Sequence, residues 1–398
     1  MKKIIELFLI SVSLIALCGC QNKKDLEADI MVVSDLHYLS PSLHDDGEIF
    51  NYLLENSDGK TFDHSEEILD TLVATAIQED PDVLVITGDI SFNGARTSHE
   101  ELAERLKEIE DAGIDVLVMS GNHDLNATSL CYFGDSYDYV ETINSEMFAE
   151  IYKDYGYEEC EMKDPASNSF VYELNDGIWL LCLDVNYDIQ CSVTSDTLKW
   201  VEEILQKAQK ENVYVVSFTH QNILSHNSYF NYGYVINHND QLLELYEKYG
   251  VDVNFSGHVH IQHVAQENDF TEILTSSASI YENHYGMIHI GSDSLSYESR
   301  QLDVEGYCRE HGYTDPELLN YREYSKELFL NVNSAKATAS MAEEDKEIMG
   351  LLNLYYFIGR LDEIDVDTES LADNSSFMSR IYPELGNNYN SITLDIER

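Results

Sequence analysis

Basic residues are scarce in this chain: 23 Lys and Arg stand against 74 Asp and Glu, a formal charge of −51 over 398 residues. That balance disfavours a polyanion held in a basic groove, so no nucleic-acid polymer is expected as a partner. A solvated acidic surface is the plain use of the excess charge. Proline is scarce too, at five residues, which removes any Pro-rich linker, and no internal repeat or low-complexity tract interrupts the chain. No apolar run is long enough for a comfortable membrane span. The nearest, residues 4–17 behind Met1-Lys2-Lys3, has the layout of an export signal. Beyond it, Cys131, Cys160, Cys182, Cys191 and Cys308 are odd in number and lack framework spacing, so no disulfide is expected.

What the chain does have is a series of short β-branched runs that each end in polar residues. Asp35-x-His37 follows the run 30–33, Gly88-Asp89 follows 83–86, and Gly121-Asn122-His123-Asp124 follows 116–119. His220 closes the run that starts at Val213, and Gly257-His258-Val259-His260 closes the run 251–255. Loops at the carboxyl ends of buried strands are where α/β sheets place their ligands. Each motif alone is weak, whereas five strand ends carrying metal-competent side chains point to one site.

Helical periodicity fills the gaps, as a layered α/β architecture requires. Ile68, Leu69, Leu72, Val73 and Ala76 share one face behind a capping-box pair, Asp63 and Glu66; Leu102, Leu106 and Ile109 form a second face, and Leu198, Val201, Ile204, Leu205 and Ala208 a third behind Thr194 and Ser195. Asn175-Asp176-Gly177 turns a hairpin between 169–174 and 178–183. After His260 come short strands that read as a second sheet. From about Leu302 the pattern is helical, with Ser340 and Glu343 as a cap before Ile348 and Leu351.

Asp35, His37, Asp89, Asn122, His220, His258 and His260 offer carboxylate, amide and imidazole donors, a set that suits manganese, iron or zinc. Seven side chains are too many for one ion. If one carboxylate bridges, they make two four-ligand shells, and two ions about 3.5–4 Å apart are a device for in-line displacement at phosphorus.

In this order the motifs resemble those of the calcineurin-like metallophosphoesterase family. The resemblance extends to class III cyclic nucleotide phosphodiesterases, in particular exported bacterial lipoproteins of that group, through residues 87–94, 98–102, 151–157, 233–237 and 256–262. It implies a four-layer α/β/β/α sandwich with a small C-terminal helical domain. Domain 28–302 would hold the site and 303–398 the helices. Asp35, His37, Asp89 and His260 would hold one divalent transition metal ion, and Asp89, Asn122, His220 and His258 the other, with Asp89 bridging. Hydroxide between the ions would attack a cyclic nucleotide or similar small phosphodiester; a phosphomonoesterase and a non-catalytic metal-binding lipoprotein are the alternatives. His123, not needed as a ligand, is the expected general acid. Asp124 either orients its ring or serves the turn, and Gly121 permits that turn. Leu17-Cys18-Gly19-Cys20 resembles a bacterial lipobox. Residues 1–20 would then be a lipoprotein signal peptide, Cys20 the lipidated first residue on the outer side of the cell membrane, and 21–27 a tether.

Overall fold

The computed structural model describes residues 26–228, 230–335, 343–365 and 381–396. The export leader with Cys20, most of the tether and the cap candidate Ser340 lie outside the described residues. In chain order the strands are β1 (Ala28–Val33), β2 (Val83–Ile86), β3 (Asp115–Val118), β4 (Leu130–Phe133), β5 (Ser136–Tyr139), β6 (Met162–Lys163), β7 (Phe170–Asn175) and β8 (Ile178–Cys182). There follow β9 (Tyr214–Phe218), β10 (Val253–Ser256), β11 (His263–Glu267), β12 (Phe270–Leu274), β13 (His284–Ile290), β14 (Ser294–Gln301) and β15 (Ser391–Asp395).

They form two large sheets, ordered β15-β14-β13-β1-β2-β3 and β11-β12-β10-β9-β8-β7-β6, beside the hairpin β4-β5. β1, β2 and β3 run parallel, as do β8, β9, β10 and β12. Parallel neighbours need long crossovers, and helices Ser65–Glu79, Arg96–Asp111, Ser195–Glu211 and Asn239–Tyr249 lie in those connections.

Alternation along the strands builds the layers. Ile30 and Val32 of β1 face the core between the sheets, which also holds Val216, Phe218 and Phe255. Their neighbours Met31 and Val33 face the other way and share a core with Leu69, Leu72 and Val73 of helix Ser65–Glu79. On the far side, Trp179, Leu181 and Val215 pack with Leu198, Val201, Leu205 and Tyr246. The expected four-layer sandwich is therefore present, its strands apolar on both faces as buried parallel strands are.

The strands after His260 do not form a sheet of their own. β11 and β12 complete one sheet beside β10, while β13 and β14 complete the other beside β1. Period-two alternation identifies a strand without naming its partner. Nor is the C-terminal region only helical: helices Val304–Glu310, Tyr321–Ala335 and Glu343–Phe357 are followed by β15, which covers the edge of β14. Val304, Cys308, Leu318 and Tyr321 pack in the same core as helix Ser65–Glu79. Thr194 caps its helix through Thr197 N, as expected, but Asp63 does not cap: residues 62–64 form a 3₁₀ turn, and His64 occupies the cap position without a side-chain bond. The five described cysteines are free and buried.

Candidate metal centre

Five loops at the carboxyl ends of β1, β2, β3, β9 and β10 converge where the two sheets meet. Donor atoms of Asp35, His37, Asp89 and His260 lie within 4.8 Å of one another, and so do those of Asp89, His220 and His258. Asp89 belongs to both groups. Asn122 Oδ1 joins the second at 3.2 Å from His220 Nε2. All seven candidate ligands are thus brought together, and His123 stands beside them with its ring 4.9 Å from that of His37.

The spacing also suits donors that share a cation. His37 Nε2 faces His260 Nε2 at 3.0 Å, His260 Nε2 faces Asp35 Oδ1 at 3.3 Å, and His220 Nε2 faces Asp89 Oδ2 at 3.2 Å. Donors bonded to one ion at about 2.0–2.1 Å in a tetrahedron stand roughly 3.3–3.4 Å apart. Asp35 Oδ1 and His258 Nδ1 are buried with no hydrogen-bond partner, a costly state unless something else meets them.

Hydrogen bonds fix which atoms are offered. Asp35 Oδ2 accepts from Ser34 Oγ and His258 N, leaving Oδ1 free. His220 Nδ1 is 2.9 Å from the Thr87 carbonyl, which can only accept, so Nδ1 carries the proton and Nε2 presents its lone pair. Burial pushes His258 down to about 4, and His37 well below the usual histidine range, so both are neutral ligands. Burial also pushes the Asp89 carboxyl up, but His220 and His123 outweigh it and hold Asp89 well below the usual carboxylate range. Against its own burial, His220 is lifted to about 9 by Asp89. A cation bound there takes the place of a proton.

Concentrating these groups bends the backbone. Asp35, His37, Asp89, His258 and His260 all have φ between 45° and 68°, the left-handed region that costs a side-chain-bearing residue about 1–2 kcal/mol. Two glycines make room for the carboxylates. A Cβ at Gly121 would stand 2.2 Å from Asp89 Oδ1, and one at Gly257 would stand 2.4 Å from Asp35 Oδ2. Gly121 opens the expected turn, whose closing bond runs from Asp124 N to the Gly121 carbonyl, but its φ lies outside the left-handed region, so glycine is required there for close approach to Asp89.

Asp124 serves the loops and does not orient the ring of His123. Its oxygens accept from Ile90 N, Ser91 N, Ser91 Oγ and Gly121 N, tying the loop after β2 to the loop after β3. The His123 ring is held by the Phe92 carbonyl, 2.8 Å from Nδ1, while His123 N donates to Asp89 Oδ1 at 2.7 Å. Behind Asp124 stands His99, which the sequence marked only as part of a similar stretch. Its Nε2 lies 3.0 Å from Ser91 Oγ and its Nδ1 3.0 Å from Tyr152 OH. Ser91 Oγ donates to Asp124, so His99 Nε2 is the donor to Ser91, and burial, which pushes His99 down to about 3, keeps the ring neutral.

Sequence reasoning also passed over Glu272, which is buried within β12. It accepts from Ile223 N, Leu224 N, Asn254 Nδ2 and Ser256 Oγ, tying the segments that carry His220 and His258. On its other side is a buried histidine pair: His226 Nε2 lies 3.2 Å from Glu272, His226 Nδ1 lies 2.9 Å from His263 Nδ1, and His263 Nε2 lies 3.0 Å from Glu384. The C-terminal region reaches the metal-binding loop as well. Val259 and Ile261, which flank His260, pack with Tyr356 and Leu361, and Gln262 N donates to the Phe357 carbonyl.

Comparison with known proteins agrees with this geometry. The family described as calcineurin-like phosphoesterase matches residues 28–262, and the C-terminal domain of cyclic nucleotide phosphodiesterase matches residues 303–395. No curated protein matches. Among solved structures, a dimetal phosphatase from Danio rerio is similar at 11% identity and a TM-score of 0.52, over 69% of this chain and 96% of that one. A purple acid phosphatase from yellow lupin seeds is similar at 12% identity and a TM-score of 0.48, over 70% of this chain and 52% of that one. At 11% identity the likeness to the Danio rerio protein is one of fold.

His99 gives this support a pH dependence. Burial pushes it down to about 3, below the value of about 6.5 for an unfolded histidine. The unfolded chain therefore takes up a proton first, and stability falls as pH drops from 6.5 toward 3, by at most about 1.4 kcal/mol per pH unit for this residue. Urea unfolding between pH 7.5 and 4.5 should show a shallower pH slope for His99→Gln than for the wild type. Equal slopes would contradict the neutral, buried assignment.

Proposed function

This chain belongs to the calcineurin-like phosphoesterase family, and from that premise we propose that it hydrolyses cyclic nucleotides or similar small phosphodiesters at its two-ion centre. It is a metal-dependent phosphoesterase. The observation that carries the substrate class is the match of residues 303–395 to the C-terminal domain of cyclic nucleotide phosphodiesterase. The charge of −51 supports a small substrate over a polymer.

Asp35, His37, Asp89 and His260 would hold one ion, and Asp89, Asn122, His220 and His258 the other. The donor set, two carboxylates with an amide and four imidazoles, favours manganese, iron or zinc. When bound, such a pair supplies Lewis-acid charge for phosphate oxygens and for water.

The protein's own part is to place a proton. His123 Nδ1 donates to the Phe92 carbonyl, which fixes the ring and leaves Nε2 to carry the exchangeable proton. In its imidazolium form His123 gives that proton to the leaving alkoxide as the oxygen of water bonds to phosphorus and the phosphorus–alkoxide bond breaks, a contribution worth typically 10²- to 10⁴-fold. The bond from His123 N to Asp89 keeps the acid in register with the carboxylate shared by both ion positions.

Location completes the proposal. Cys20, in a lipobox-like context, would carry a lipid that anchors the enzyme outside the cell membrane, with residues 21–27 as tether. Expressed with its leader in bacteria, the wild type should fractionate with membranes and Cys20→Ser should not; membrane retention of the variant would end the lipid-anchor proposal.

His123→Ala should keep its bound metal, measured by elemental analysis, and lose about 10²- to 10⁴-fold in kcat. Undiminished turnover would remove the acid role from His123. In the same assays, with manganese, cyclic nucleotides should be turned over faster than nucleoside monophosphates. Faster turnover of every monoester would replace the diesterase reading with a monoesterase.

A further inference from the structure

A third group of potential ligands lies apart from the catalytic centre, where Asp63 and His64 meet the C-terminal segment. Donor atoms of Asp63, His64 and Glu317 lie within 4.8 Å of one another. His64 Nε2 is 3.5 Å from Asp63 Oδ2 and 3.6 Å from Glu317 Oε2. Both distances exceed the 2.7–3.2 Å of an ordinary N–H···O bond. They approach instead the edge of roughly 3.4 Å between two donors on one tetrahedral ion.

Two buried atoms in the group have nothing else to do. His64 is 6% exposed, and its Nε2, aimed between the two carboxylates, has no hydrogen-bond partner; nor has Asp63 Oδ1. Asp63 Oδ2 accepts from Tyr324 OH, and the rings of Tyr321 and Tyr324 pack edge-on against the imidazole. The other ring nitrogen, Nδ1, has Glu67 Oε2 at 3.9 Å behind it. At that distance Glu67 places negative charge near the ring without a hydrogen bond to it. Glu317 is 58% exposed at its side chain, which leaves a path from solvent and a place for water in the fourth position.

We propose that Asp63, His64 and Glu317 form a third divalent-cation site, of the one-imidazole, two-carboxylate kind that zinc or manganese occupies, and that its ion clips the C-terminal region onto the phosphoesterase domain. The geometry gives it this work because its ligands come from both sides of the join. Asp63 and His64 immediately precede helix Ser65–Glu79, whereas Glu317 immediately precedes the short 3₁₀ turn Leu318–Asn320 and helix Tyr321–Ala335. The competing use of the same residues is direct pairing of His64 with the two carboxylates and no ion.

The full chain, stripped with chelator and dialysed against Zn²⁺, should bind one more ion than the Glu317→Gln variant. His64→Ala should match Glu317→Gln in ion count, and Glu317→Gln, at an exposed position, gives the answer even if His64→Ala does not fold. Phosphoesterase turnover should be unchanged in Glu317→Gln, while Zn²⁺ should raise the Tm of the wild type more than that of the variant. Dialysed in parallel, a His220→Ala variant should show a Glu317-dependent ion of its own, so that failure of the catalytic centre and failure of this site are read separately. Equal ion counts in wild type and Glu317→Gln would overturn the proposal.

Discussion

The Asp89 carboxylate is the constraint around which the rest of the molecule is arranged. It sits in the loop after β2, buried, with His220 on one side and the Asp35, His37 and His260 group on the other. Buried charge of this kind is tolerated only when paired. The surrounding structure supplies the pairing: His123 N bonds one Asp89 oxygen, and Gly121 clears the space beside it. Five residues held in left-handed backbone, at about 1–2 kcal/mol each, show that the loops bend to bring donors inward when extended backbone would cost less. Such outliers persist only where the surroundings over-determine them. Here the surroundings are the Asp124 net on one side and the Glu272 net on the other.

How far the sequence revealed this depends on the kind of information. Chemistry at strand ends was legible because each ligand loop follows a β-branched run, and the seven metal candidates come together with His123 beside them. Layering was legible from the two-faced strands. Partnering was not, since alternation in residues 284–301 says nothing about which sheet accepts those strands. β15 was missed because its burial alternates weakly at a sheet edge, amid helix-period residues. Asp63 looks like a helix cap by type and spacing, yet the chain takes a 3₁₀ turn there. Asp124 and His99 act through contacts distant in sequence, and no local pattern carries those.

The C-terminal region, whose purpose the sequence left open, has a physical role in the structure. Its Tyr356 and Leu361 pack on the residues flanking His260, and the Phe357 carbonyl takes the hydrogen bond from Gln262 N. The buried chain from Glu272 through His226 and His263 to Glu384 ties the same region to the net that holds the loops of His220 and His258. The catalytic loops are thus held from both ends, by the sheets beneath and by the C-terminal segment above. Low sequence identity to proteins sharing the fold is compatible with this, because the fold needs apolar alternation and the site needs only a small number of donors.

Every role given to the site requires that one carboxylate, Asp89, join two ions into a single centre. Electron paramagnetic resonance of the manganese-loaded protein tests it directly, since two Mn²⁺ ions sharing a carboxylate are exchange-coupled and isolated ions are not. The wild type should give a coupled two-manganese spectrum, and Asp89→Asn should lose it. A wild-type spectrum of isolated ions only, or a coupled spectrum that survives Asp89→Asn, would contradict the joining role of Asp89.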